Sequence, residues 1–317
     1  MLNFQPINLE LLKKHFNLIM IETPNEDNDE ILSKIDVAFA PLGFKFNKEK
    51  IDKMPKLKVI ASNTTGEPHI DRKYAESKDV EVISLKFEQE FLKTITPTAE
   101  HTWGLLLALM RRTPWAFNSV LSGTWNRRLF GGKGMLSKLS IGIVGLGRLG
   151  SLVAQYAKAF GLKKIKFFDP YIDEREPNGL ERVNRLEDLV SSCDIITIHI
   201  PAEKKNYKIF NANLFAKFKR GSYLINTSRG ELVDEVHMIN ALKSGILAGA
   251  AIDVFDGEYE MNHDELLQKS ILLKYAQNND NLLITPHIGG STIDAWRLTE
   301  EYTIKLILKL LKIDENT

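Results

Sequence analysis

Short apolar runs separated by longer stretches of mixed character dominate the hydrophobic pattern of this chain. In the first ninety residues the runs are NLIMI (17–21), DVAFA (36–40), LKVIA (57–61) and VEVIS (80–84). A second series starts near residue 140 with SIGIV (140–144), KIKFF (164–168), DIITIHI (194–200), SYLIN (222–226), GAAIDV (249–254) and LLIT (282–285). Runs that are apolar at consecutive positions belong to parallel strands covered on both faces. Between most of them apolar positions recur at helical spacing, as in 148–160 closed by Gly161 and 235–244 closed by Gly245. This strand–helix alternation predicts an α/β protein built on doubly wound parallel sheets.

Two further segments set the domain plan. TPTAEHTWGLLLALMRRTPWAF (96–117) has a periodic apolar face broken at Pro114, which predicts one long helix joining the two series. STIDAWRLTEEYTIKLILKLL (291–311) reads as an amphipathic helix whose apolar face needs a partner. Crossing back onto the first series would make that domain discontinuous. The expected division is a domain of residues 1–95 with 290–317, and a second of 96–289 that includes the linking helix at 97–113. A chain of 317 residues is also long for a single core, so two domains are the natural expectation.

Composition narrows the function classes. Hydrophobic residues make up 44% and charged residues 26%, as in ordinary globular proteins. The formal net charge of +1 provides no global field toward nucleic acid or membrane, so neither is expected as a partner. Lysine-rich runs such as KKNYK (204–208) read as solvated faces. The one cysteine, Cys193, excludes an intrachain disulfide, reads as buried core and fits a reducing, cytoplasmic compartment. The opening MLNFQPINLELLKKHF lacks the layout of a signal peptide, and no apolar run reaches the roughly 18 residues of a membrane span. No His, Cys or Asp spacing suggests a metal.

The chemistry-bearing motifs sit where strands end. GIVGLGRLG (142–150) places Gly145, Gly147 and Gly150 between a predicted strand and a predicted helix, with Arg148 and Leu149 opening that helix and expected to bind the cofactor with the glycines. The first glycine suits a tight turn, the second a close approach to a pyrophosphate, and the third helix-on-strand packing. Asp169, nineteen residues after Gly150 and at the end of the next strand, suits hydrogen bonds to adenosine ribose hydroxyls and opposes a 2′-phosphate. The expected cofactor is therefore NAD. Ligands of open parallel sheets bind beyond the carboxyl ends of strands. There the later strands place Arg229 in TSRGELVDE, Asp253 and Glu258 in DVFDGE, and His287 in PHIGG. An arginine fork binds a carboxylate bidentately, a histidine moves a proton near neutral pH, and a carboxylate beside it holds the tautomer. Pro201, Thr227 and Gly289 lie on the same set of strand-end turns and are expected to face the cofactor.

GIVGLGRLG, NTSRGELVDE, AIDVFDGE and TPHIGGST together resemble the D-isomer-specific 2-hydroxyacid dehydrogenases, in order from about residue 97 to 295. PTAEHTWGLLLALMRR is similar to the family's linking helix, and ASNTTGEPHID (61–71) carries a weaker likeness in the first domain. The resemblance implies a Rossmann-type cofactor domain and a flavodoxin-like substrate domain, with substrate bound between them. It implies that Arg229 binds the substrate carboxylate, His287 is the acid/base and Glu258 its partner. It further implies that Asp253 contacts the nicotinamide amide, that backbone near Thr65 and Gly66 holds a small 2-hydroxy or 2-oxo acid, and that the protein is a homodimer. The chain departs from the family pattern at Tyr259, where a proline commonly follows the glutamate, and in a longer stretch from Glu258 to His287.

Other histidines read as structural: His101 packed or hydrogen-bonded in its helix, His199 at a strand end, His69 in a turn. The Glu–His pair sets formate dehydrogenase aside. A non-catalytic NAD-sensing protein of the same fold remains the rival from another class. The acid itself is open among 3-phosphoglycerate, glyoxylate, hydroxypyruvate and D-lactate.

Overall fold

The computed structural model describes residues 4–21, 27–42, 44–132, 134–172, 179–260 and 262–314. The chain divides into two compact units, unit 1 of residues 1–95, 259–261 and 291–317, and unit 2 of residues 96–258 and 262–290.

Unit 1 carries a parallel sheet of β1 (Val37–Phe39), β2 (Val59–Ala61) and β3 (Glu81–Ile83), in that spatial order. One face buries Ile60 and Val82 among Ile51, Met54, Ile70 and Ala75. The other sets Val59 and Ala61 against Ile307 of the helix Ile293–Leu311. That helix also holds the N-terminal helix Pro6–His15: Leu12 packs on Ile304 and Leu308, and the buried Asn8 donates Nδ2 to Arg297 O at 2.8 Å and to Glu300 Oε2 at 2.9 Å. The buried Glu300 carboxylate accepts the Gln5 amide as well, so its charge is met by hydrogen bonds rather than left bare.

Residues 17–21, expected as a strand, form none. Ile19, Met20 and Ile21 stay 44%, 56% and 36% exposed. Apolar character alone does not make a strand, because each strand also needs a neighbouring edge to take its backbone hydrogen bonds.

Unit 2 carries a seven-stranded sheet of β4 (Ser140–Val144), β5 (Lys164–Phe168), β6 (Glu181–Arg182), β7 (Ile195–Ile198), β8 (Ser222–Asn226), β9 (Leu247–Ile252) and β10 (Leu282–Ile284). All pairs are parallel and the order is β10-β9-β8-β7-β4-β5-β6. Successive residues of one strand point to opposite cores. In β4, Ile143 joins the core under the helices Pro97–Arg111 and Arg148–Ala159, while Val144 joins the core under Glu235–Lys243. Burial on both faces is why β4 and β7 read as near-continuous apolar runs.

The linking segment is two helices rather than one. Pro97–Arg111 ends at Arg112, which turns left-handed (φ 55°), and Thr113–Leu121 follows with Pro114 in its first turn. Proline has no N–H to continue the first helix and its ring would crowd the Met110 carbonyl, whereas the first turn of a new helix accepts it. The stretch after Glu258 folds into the helices His263–Lys269 and Ile271–Ala276, the second burying Leu272 and Tyr275. Among the described residues no helix is long and apolar enough to cross a membrane, and no cluster of metal-ligating side chains occurs.

Candidate active site

The sheet order of unit 2 reverses between β4 and β7, so the chain departs from this pair in opposite directions and opens a crevice at their carboxyl ends. Gly145 turns the chain off β4 with φ 88°, and a Cβ there would lie 2.6 Å from Ile200 Cγ2. A Cβ on Gly150 would lie 2.0 Å from the Gly145 carbonyl oxygen, so the loop closes only with glycine at both ends. Gly147 differs: nothing lies within 4 Å of an added Cβ. It is also the N-cap of Arg148–Ala159 and supplies no side chain to that helix's amides. Open space at Gly147 beside a helix N-terminus fits a pyrophosphate.

Arg148 is largely buried and burial lowers its pKa, while Leu149 packs on the core beside it. Asp169 Oδ2 accepts the Leu146 amide at 2.9 Å and Oδ1 the Tyr171 amide at 2.9 Å, which ties the end of β5 to the glycine loop. Pro201 follows β7 at the surface, its carbonyl bonded to Asn206 Nδ2. His199 has its Nε2 2.8 Å from Thr197 Oγ1, and burial pushes it down to about 3, so it stays neutral.

The turn after β8 is braced at each step. The buried Thr227 hydroxyl lies 2.7 Å from Thr102 Oγ1, and since Thr102 donates to the Thr98 carbonyl, Thr227 is the donor between them. Asn226 Nδ2 holds the Arg229 carbonyl at 2.9 Å, and Arg229 Nη1 donates to Ser228 O at 2.6 Å. A Cβ on Gly230 would fall 2.0 Å from the Phe255 carbonyl carbon, so glycine here lets the arginine turn lie directly on the turn after β9. Glu235 accepts the Asp256 amide at 3.0 Å and is raised in pKa by burial, bracing the same turn from beneath.

That turn leads to Glu258, and the turn after β10 to His287. His287 Nδ1 lies 2.8 Å from Glu258 Oε2, with the two side chains 31% and 7% exposed. Around them Asp253, only 1% exposed, collects Thr285 Oγ1, the Ile288 amide and the Gly289 amide at 2.5, 3.0 and 2.7 Å. Burial pushes the Asp253 carboxyl up, but donors from His101, Thr285 and the two amides outweigh it and hold it below the usual range, so it stays an anion.

Arg229, Glu258 and His287 are thus on three successive strand-end turns of unit 2. Thr65 and Gly66 are in unit 1, on the turn after β2. There Thr64 Oγ1 donates to Gly66 O at 2.7 Å, and the buried His69 sits against Ser62 and Ala40 O. Burial lowers the His69 pKa, leaving a neutral imidazole beneath the turn. Motif reading did not single out Thr285 or Glu235, and it took His101 as structural. Each acts through a partner distant in sequence, and no local pattern signals such pairing.

Residues 103–289 match the family model for the D-isomer specific 2-hydroxyacid dehydrogenase NAD-binding domain, more than half the chain. The chain belongs to this family. Its cofactor is NAD, and the fold is the family's mixed α/β arrangement with a Rossmann domain. A D-3-phosphoglycerate dehydrogenase of Bacillus subtilis is 35% identical over 85% of this chain and 48% of its own length. A glyoxylate reductase of Thermofilum pendens is 32% identical over 96% of this chain and 88% of its own. The chain spans about half the length of the first two curated dehydrogenases it matches. Among solved structures, D-lactate dehydrogenase of Aquifex aeolicus, complexed with NAD and lactic acid, is similar with a TM-score of 0.82 and 28% identity over 97% of this chain and 92% of that one.

Proposed function

We propose that this dehydrogenase is catalytic and moves hydride between NAD(H) and a small D-2-hydroxy acid or its 2-oxo form. The observation that carries this reading is the Glu258–His287 pair at 2.8 Å, next to the turn that presents Arg229. Bound NAD(H) supplies or accepts the hydride. Arg229 binds the substrate carboxylate through its planar fork. Glu258 holds Nδ1, which places the exchangeable proton of His287 at Nε2. His287 gives that proton to the carbonyl oxygen in reduction and takes it back in oxidation. Asp253 Oδ2, which accepts the Gly289 amide, is the oxygen a nicotinamide amide would meet.

Initial rates with NADH and four 2-oxo acids, 3-phosphohydroxypyruvate, hydroxypyruvate, glyoxylate and pyruvate, test this directly. Turnover of at least one is expected. Tight NADH binding without turnover of any would favour the NAD-sensing reading.

Asp169 is proposed to set the cofactor preference. Its carboxylate can accept both ribose hydroxyls, and it would face the dianion of a 2′-phosphate at short range. kcat/KM with NADH is expected to exceed that with NADPH by on the order of 10-fold or more, since like charges at contact cost over a kcal/mol even in a wet site. Equal efficiency with the two cofactors would remove Asp169 from this role.

A homodimer is proposed on the exposed apolar side chains of unit 2. Phe117, Leu121, Trp125, Leu129 and Met135 are 61%, 69%, 88%, 54% and 64% exposed on the second linking helix and the loop after it. Five exposed large apolar side chains within residues 117–135 suit burial against a second copy of the chain. The buried Cys193, its thiol pushed up to about 11 by burial, fits a reducing compartment such as the cytoplasm.

A further inference from the structure

The acid–base turn is held in an unfavourable backbone conformation, and what holds it lies on the linking helix. His287 has φ 51°, in the left-handed region that a non-glycine residue occupies only when its surroundings over-determine it. Its own amide reaches the Asp253 carbonyl at 2.8 Å, and the amides of Ile288 and Gly289 both end on the Asp253 carboxylate. Thr285, just before the turn, adds its hydroxyl to Oδ1 at 2.5 Å. One buried carboxylate therefore fixes the chain on both sides of His287.

His101, on the helix Pro97–Arg111, approaches this anchor from the other side. Its Nε2 is 3.1 Å from Thr285 Oγ1 and 3.3 Å from Asp253 Oδ1. The threonine hydroxyl spends its proton on Asp253, so it can only accept from the ring, and Nε2–H is shared between the two oxygens. His101 Cδ2 also lies 3.5 Å from where a Cβ on Gly289 would be, closing the space beside that residue.

We propose that His101 is a positioning residue for the acid–base centre: through Asp253 and Thr285 it locks residues 285–289 so that the His287 ring stays seated on Glu258. The inference rests on the catalytic reading of His287 and adds a residue that acts through Asp253 and Thr285.

The test compares His101→Ala and His101→Gln with the wild type. Glutamine places an amide N–H near the position of Nε2. In His101→Ala, kcat for 2-oxo acid reduction is expected to fall by about 10-fold, a modest share of what misplacing a catalytic group can cost. KM and the NADH dissociation constant should stay within about 2-fold, because carboxylate and phosphate contacts are untouched. Amide hydrogen exchange in the peptide spanning 285–290 should accelerate while that of β4 and β7 does not. His101→Gln should recover most of the kcat and the exchange protection. Unchanged exchange in 285–290, or an unchanged kcat, overturns the proposal. A weakened NADH affinity with unchanged exchange overturns it too, and makes His101 a cofactor contact. If the wild type turns over no 2-oxo acid, the catalytic reading fails on its own, while the exchange measurement still decides the anchoring.

Discussion

Replacing His287 by alanine is expected to lower turnover of a 2-oxo acid by roughly 10²–10⁴-fold, the usual contribution of a positioned acid or base. NADH affinity should be nearly unchanged, because the glycine loop and Asp169 lie on β4 and β5, away from the turn after β10. The reason for so large an effect is geometric. A 2.8 Å contact to Glu258 fixes one ring nitrogen, and the left-handed backbone at 287 is pinned by Asp253, so the other nitrogen is delivered in one orientation. Glu258→Gln refines the test. It keeps the shape but removes the negative charge that holds Nδ1, so turnover of the oxo acid is expected to fall while NADH affinity stays nearly unchanged. Turnover of His287→Ala within about 10-fold of the wild type would assign the proton to another group. Wild-type turnover in Glu258→Gln would break the pairing.

Arg229→Lys is expected to lower kcat/KM for the oxo acid by roughly 10- to 100-fold, the loss of one or two charge-assisted hydrogen bonds, with NADH affinity again nearly unchanged. Lysine retains the charge, so any loss measures the planar fork rather than the field. The arginine backbone is fixed by Asn226 Nδ2 and by the close approach of Gly230 to Phe255, neither of which the substitution disturbs. A folded, NADH-binding variant is therefore expected, and its deficit should appear in both kcat and KM. Near-normal kinetics would place the anion anchor elsewhere. The two variants are also separable by substrate: a carbonyl compound that lacks the carboxylate should lose little from Arg229→Lys but should still need His287.

How far the sequence alone reached can be judged element by element. β4, β5 and β8 fall at the positions their apolar runs predict: β4 is buried along its whole length, while β5 alternates buried Ile165 and Phe167 with more exposed neighbours. The glycine loop was legible because covalent geometry and steric contact act within a few residues, as at Gly145 and Gly150. The strand-end placement of Arg229, Glu258 and His287 was legible because parallel α/β topology sends successive strand ends to one edge. Residues 17–21 were misread as a strand because strand formation depends on a pairing edge, which is a tertiary property. The two-residue β6 was missed since so short a run has no period to detect. The break at Pro114 was legible and put the end of the linking helix at 113, two residues past the observed Arg111, but the second helix Thr113–Leu121 was not foreseen.

What only the tertiary structure decided is the support of the site. Asp253 reads in sequence as one more strand-end carboxylate, but the fold buries it to 1% exposure and aims two amides and a threonine hydroxyl at it. His101 and Thr285 stand 184 positions apart and meet at 3.1 Å. The sequence determines residue types, their periodicity and the turns that short-range sterics enforce. Which donors converge on one buried carboxylate depends on how sheet and helix pack, and no spacing along the chain encodes that convergence.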